Sequence, residues 1–81
     1  MTIEGIRDVS FVADDGNKIE GKSIFCSYEI TKNGSGRAFE KFFLSKNKLA
    51  RLDFDLTIGS EIGVTYNRFG KVDTVYELMI E

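Results

Sequence analysis

The sequence predicts an all-β domain with one short helix, folded as a five-stranded barrel in the order strand, strand, strand, helix, strand, strand. Three observations predict it. Apolar and polar residues alternate through several segments, which is the period of a half-buried strand. Clusters of turn formers, Asp14-Asp15-Gly16-Asn17, Asn33-Gly34-Ser35-Gly36 and Ile58-Gly59-Ser60-Glu61, separate those segments. Helical spacing occurs in one place only, where Leu49 and Leu52 recur three residues apart.

Each element has its own warrant. The first strand is read at Val9 to Ala13, starting near Ile6. Gly16 or Asn17 then supplies the positive φ of a turn. The second runs long, from Lys18 to Thr31, with Ile24, Cys26, Tyr28 and Ile30 on its inner face. Ile19 has the opposite parity, so a bulge or sharp bend is expected at Gly21. The turn at Asn33 to Gly36 implies a hairpin with a third strand, Arg37 to Ser45. In that strand Ala38, Glu40, Phe42 and Leu44 share one face. Arg37, Phe39, Lys41 and Phe43 share the other. Ser45 caps a helix of about two turns over Lys46 to Leu52. A fourth strand places Ile62, Val64 and Tyr66 inward. A fifth, from Lys71 to Ile80, places Val72, Thr74, Tyr76, Leu78 and Ile80 on one face. This is the order of the oligonucleotide-binding barrel, and the bend at Gly21 suits a sheet that must curl. An SH3-like barrel is the alternative.

The chain has 81 residues, enough for one domain spanning 1–81. Its composition is 42% hydrophobic and 30% charged, which suits a folded protein rather than a disordered one. The start of the chain carries no secretory signal pattern, no run is long enough to span a membrane, and Cys26 is the single cysteine. These features predict a cytoplasmic protein without a membrane partner. The net charge is −2, unevenly distributed: residues 1–17 carry −3, residues 18–71 carry +4 and residues 72–81 carry −3. The middle of the chain is therefore basic.

Catalysis is not expected. With no histidine there is no histidine-based triad or dyad, and no cysteine–histidine set for zinc. Cys26 reads as a small core residue. Asp53 and Asp55 read as solvated loop residues. Asp14-Asp15-Gly16-Asn17 lacks the spacing of a calcium loop. No cofactor is predicted.

The third strand carries the functional signal. Alternation of Arg37, Phe39, Lys41 and Phe43 on one face suits single-stranded nucleic acid, whose bases stack on rings while cations follow its phosphates. Phe25, Phe39 and Phe43 are the candidate stacking platforms. Arg37, Lys41, Lys46, Lys48, Arg51, Arg68 and Lys71 are the candidate phosphate contacts. The other reading of the same residues is a core run of Phe42, Phe43 and Leu44 with ordinary surface cations. Phe42, Tyr28, Ile24 and Leu44 are assigned to the core. In Tyr66-Asn67-Arg68-Phe69-Gly70-Lys71, Phe69 either stacks on a base in a flexible cationic loop or plugs one end of the barrel.

Turn placement, barrel order and basic-aromatic strands carry a family resemblance. Phe11-Val12-Ala13-Asp14-Asp15-Gly16-Asn17, Ile19-Glu20-Gly21-Lys22, Glu40-Lys41-Phe42-Phe43-Leu44-Ser45 and Tyr66-Asn67-Arg68-Phe69-Gly70-Lys71-Val72 resemble segments of small phage and plasmid barrels that bind single-stranded DNA. The filamentous-phage DNA-binding proteins belong to that group. The resemblance implies a homodimer that coats a strand cooperatively, with DNA favoured over RNA. A non-catalytic protein-interaction module using the same aromatic and basic face is the alternative.

Overall fold

Antiparallel pairing organises the first half of the chain. The computed structural model describes residues 1–78. Strand β1 (Thr2–Val12) pairs with β2 (Lys18–Glu29), and β2 pairs with β3 (Arg37–Ser45), giving a three-stranded sheet in the order β1-β2-β3. The helix α1 (Lys46–Ala50) follows, then β4 (Ile62–Tyr66) and β5 (Val72–Glu77), which form a second antiparallel sheet. The protein is therefore mostly β with one short helix.

The turns form where their residues allow. Gly16 takes φ +87° between β1 and β2, and the Ala13 amide donates to the Asn17 carbonyl at 2.8 Å. Asn33 and Gly36 take positive φ between β2 and β3. Ser45 caps α1, its hydroxyl accepting from the Lys48 amide at 3.3 Å.

The first residues of β1 join the two sheets. The Ile3 amide donates to the Ser60 carbonyl at 2.9 Å, and the Ile62 amide donates to the Met1 carbonyl at 2.8 Å. Ile3, Ile24, Cys26, Phe42, Leu44, Ile62, Val72 and Val75 make the buried core. Leu49, Leu52, Phe54 and Leu56 pack against it from α1 and the segment after it. Among the described residues no helix is long and apolar enough to cross a membrane.

The expected barrel is not closed. No ladder joins β3 to β5 among the described residues, and the strands remain in two sheets. Side chains bridge the gap instead: the Lys48 ammonium donates to the Val72 carbonyl at 2.8 Å, and the Tyr66 hydroxyl donates to Glu40 Oε1 at 3.0 Å.

Several finer expectations need correction. Strand β1 begins at Thr2, well before Ile6, and its register shifts between Ile3 and Gly5. That bulge lets both Ile3 and Ile6 face the core. No register shift occurs at Gly21, which pairs regularly with Val9 and Ser45. Its lack of a side chain instead admits the Phe43 ring: a Cβ placed there would lie 2.6 Å from Phe43 Cζ and would also meet the Leu44 carbonyl oxygen.

On β5 the inward residues are Val72 and Val75, not Val72, Thr74 and Tyr76. Thr65 pairs with Thr74 but Tyr66 with Val72, so Asp73 is an extra residue that reverses the parity. Tyr76 and Leu78 are exposed. Ile80 lies outside the described residues. Tyr28 and Tyr66, both assigned inward from parity, are exposed as well. Both stand near strand ends, beyond the reach of the core.

Candidate nucleic-acid interface

Cross-strand register builds one face from three strands. Ser23, Phe25 and Ser27 of β2 stand opposite Phe43, Lys41 and Phe39 of β3. On the other side of β2, Arg7 stands opposite Ser23, Val9 opposite Gly21 and Phe11 opposite Ile19. Residues directly opposite in an antiparallel pair point to the same side. Arg7, Phe11, Phe25, Arg37, Phe39, Lys41 and Phe43 therefore share the face turned away from the core.

The three rings named from the sequence differ in freedom. Phe39 is 75% exposed. Phe43 is 39% exposed because its ring lies over Gly21. Phe25 is half-buried, its ring covering Gly5. A ring laid over a strand glycine covers exposed backbone, so Phe43 and Phe25 serve the sheet as well as offering a surface. Phe42, Ile24 and Leu44 are in the core as expected.

Arg37 is held in place. Its Nη2 donates to the Ser27 hydroxyl at 2.9 Å, and that hydroxyl donates to Glu4 Oε1 at 2.7 Å. Ser27 is only 1% exposed beneath these partners, although it belongs to the outward face.

A groove of about 420 Å³ opens where β3 and the β4–β5 hairpin fail to pair. Lys41, Phe43, Lys48, Tyr66, Lys71 and Glu40 are among its lining residues. Lys41 and Phe43 belong to both the outward face and the groove, which makes the two continuous. Burial, then the Glu40 carboxylate accepting its hydroxyl proton, raises the Tyr66 pKa above the usual phenol value.

The hairpin tip beside this groove is built by Asn67. Its Oδ1 accepts from the Phe69 amide at 2.9 Å and the Lys71 amide at 3.1 Å, and Gly70 takes φ +77°. Phe69 is 73% exposed and plugs nothing. The Arg68 guanidinium sits 5.1 Å from its ring centroid, a cation–π pair.

The remaining cations are dispersed. Lys46 approaches Glu20 at 3.6 Å and Lys18 approaches it at 3.0 Å. Lys18 chiefly, with Lys46, holds the Glu20 carboxyl below its ordinary pKa. Arg51 lines a neighbouring cavity with Lys48, Asp73 and Thr74 and is not among the residues that line the groove. Cys26 is buried, and burial raises its thiol pKa. Asp53 and Asp55 alternate with the packed Leu52, Phe54 and Leu56 and face solvent. Among the described residues no three potential metal ligands come together.

Sequence reading missed Arg7 and Phe11. The alternation Arg7, Val9, Phe11 is the available signal, but only the register of β1 against β2 brings it beside the β3 residues. Phe11 is 53% exposed on the same face as Phe43. Comparison with known proteins finds no matching family model, no matching curated protein and no matching solved structure.

Proposed function

We propose that this chain binds single-stranded DNA without sequence specificity, as a partly open five-stranded barrel of the oligonucleotide-binding kind. Bases stack on Phe39, Phe43 and Phe25, and Arg37, Lys41, Lys48 and Lys71 neutralise the phosphates. The observation that carries the reading is the continuity of the Arg37-Phe39-Lys41-Phe43 face with a groove lined by three lysines. Arg68 and Phe69 extend it at the hairpin tip. Lys46 and Arg51 contribute less, one by its pairing with Glu20 and the other by its position. The process served is replication of a phage or plasmid in the cytoplasm, in line with the family resemblance.

The test is fluorescence anisotropy of a labelled oligo-dT at low and at physiological salt. Contact with about four phosphates gives a slope of about −2.8 in log affinity against log salt, at about 0.7 per contact on single strands. Duplex DNA competes poorly. Phe39→Ala is expected to cost about 2 kcal/mol of binding, within the range for one stacked base, with the salt slope unchanged. Failure to bind at low salt would transfer this face to a protein partner.

We also propose a homodimer, formed along the outer edge of β1. That edge is free from Gly5 to Val12, because β1 pairs there only with β2. Phe11 and Val12 are 53% and 67% exposed at its end. An unpaired strand edge is a ready template for a second strand. Light scattering coupled to size exclusion should give twice the 9.1 kDa chain mass; Ser10→Pro, which removes an edge donor because the Ser10 amide points away from β2, should halve it. A monomer at all accessible concentrations would refute the dimer.

A further inference from the structure

The groove between β3 and the β4–β5 hairpin contains an acid among its lysines. Glu40 lines it with Lys41, Lys48 and Lys71. Its Oε1 accepts the Tyr66 hydroxyl at 3.0 Å. Yet among the described residues none of the ion pairs within 4.0 Å involves Glu40. The Lys48 ammonium donates to the Val72 carbonyl instead. A carboxylate without a counter-ion on a phosphate path weakens backbone binding, so phosphate contact does not account for it.

We infer that Glu40 adds a preference at one position to binding that is otherwise independent of sequence: the groove takes one nucleotide, and the carboxylate favours guanine in it. This rests on the single-strand reading above. Guanine presents N1–H and the exocyclic N2–H side by side on its Watson–Crick edge. Thymine presents one ring N–H there, and cytosine and adenine an amino group. A carboxylate has two oxygens and about four lone-pair sites. The Tyr66 hydroxyl uses one site and orients the group, leaving acceptors for both guanine donors. The volume, about 420 Å³, is within the range of sites that enclose small ligands.

Three labelled oligonucleotides of about eight nucleotides test this: all dT, dT with one central dG, and dT with one central deoxyinosine. The dG oligonucleotide should bind about five- to tenfold more tightly than all-dT, the low end for a two-bond base contact because the groove is open to solvent. Inosine lacks the N2 amine and should bind like dT. Glu40→Gln should abolish the preference while its amide oxygen still accepts the Tyr66 hydroxyl. Tyr66→Phe should narrow the preference by releasing the carboxylate. Equal affinity of the native chain for dG and dT overturns the inference, as does an unchanged preference in Glu40→Gln. If no oligonucleotide binds at low salt, the single-strand reading itself has failed, and this one with it.

Discussion

Gly21→Ala should destabilise the domain by about 3 kcal/mol, at the upper end for overpacking. The added Cβ would meet the Leu44 carbonyl oxygen and lie 2.6 and 2.8 Å from two carbons of the Phe43 ring. The ring can rotate away, but a backbone carbonyl in the β2–β3 ladder moves only with its strand. Leu44 is itself a core residue, so that movement disturbs packing on the opposite face. For a domain of this size the loss lowers the melting temperature by roughly 15 °C. Gly16→Ala is the comparison, since nothing lies within 4 Å of its Cβ and only the positive φ resists it. That substitution should cost about 1 kcal/mol. Adding Phe43→Ala to Gly21→Ala should recover part of the loss and no more, because the carbonyl contact remains. Thermal unfolding followed by circular dichroism measures all three. A Gly21→Ala protein as stable as Gly16→Ala would show that the two strands are not held so closely.

The same glycine shows where the sequence was readable and where it was not. Parity made Gly21 a singular position, since Ile19 and Ile24 on either side of it face opposite ways. What no pattern revealed is that the position answers a ring and a carbonyl from β3, a contact between residues more than twenty apart. Local signals placed β2, β3, β4, the Ser45 cap and the glycine turns close to where they occur, whereas β1 starts at Thr2 rather than near Ile6 and α1 ends at Ala50 rather than Leu52. Bulges were invisible because they depend on the partner strand. The shift at Asp73 turned Val75 inward, and the shift after Ile3 aligned Ile3 with Ile6. Asp53 and Asp55 face solvent, as their loop reading expects, while Phe54 and Leu56, to which no strand or helix pattern assigned a place, pack on the core. For the candidate site, alternation within β3 sufficed to place Arg37, Phe39, Lys41 and Phe43 on one face. The grouping of Lys41 with Lys48 and Lys71 required the gap between β3 and β5, which only the folded chain displays.

Reversing Lys41 and Lys71 together should weaken oligo-dT binding by at least about 100-fold at low salt, since juxtaposed like charges cost several kcal/mol. The two residues come from separate sheets and line one groove, Lys41 on β3 and Lys71 beyond the β4–β5 turn. Neither forms an ion pair within 4.0 Å among the described residues, so both charges are available to a phosphate. Their exposure also makes the substitutions compatible with folding. Lys41→Glu with Lys71→Glu changes the net charge from −2 to −6, and a general loss of attraction must be separated from a loss of contact. Lys32→Glu with Arg51→Glu makes the same change away from the groove, and it should reduce affinity only about threefold at low salt and less as screening grows. Neutral Lys41→Gln with Lys71→Gln refines the comparison: if each lysine meets one phosphate, the salt slope should fall by about 0.7 for each. A unique fall in slope for the groove pair would locate the backbone track between the two sheets. Equal effects from both reversed pairs would mean that only total charge matters, and the groove would lose its claim to be where the strand runs.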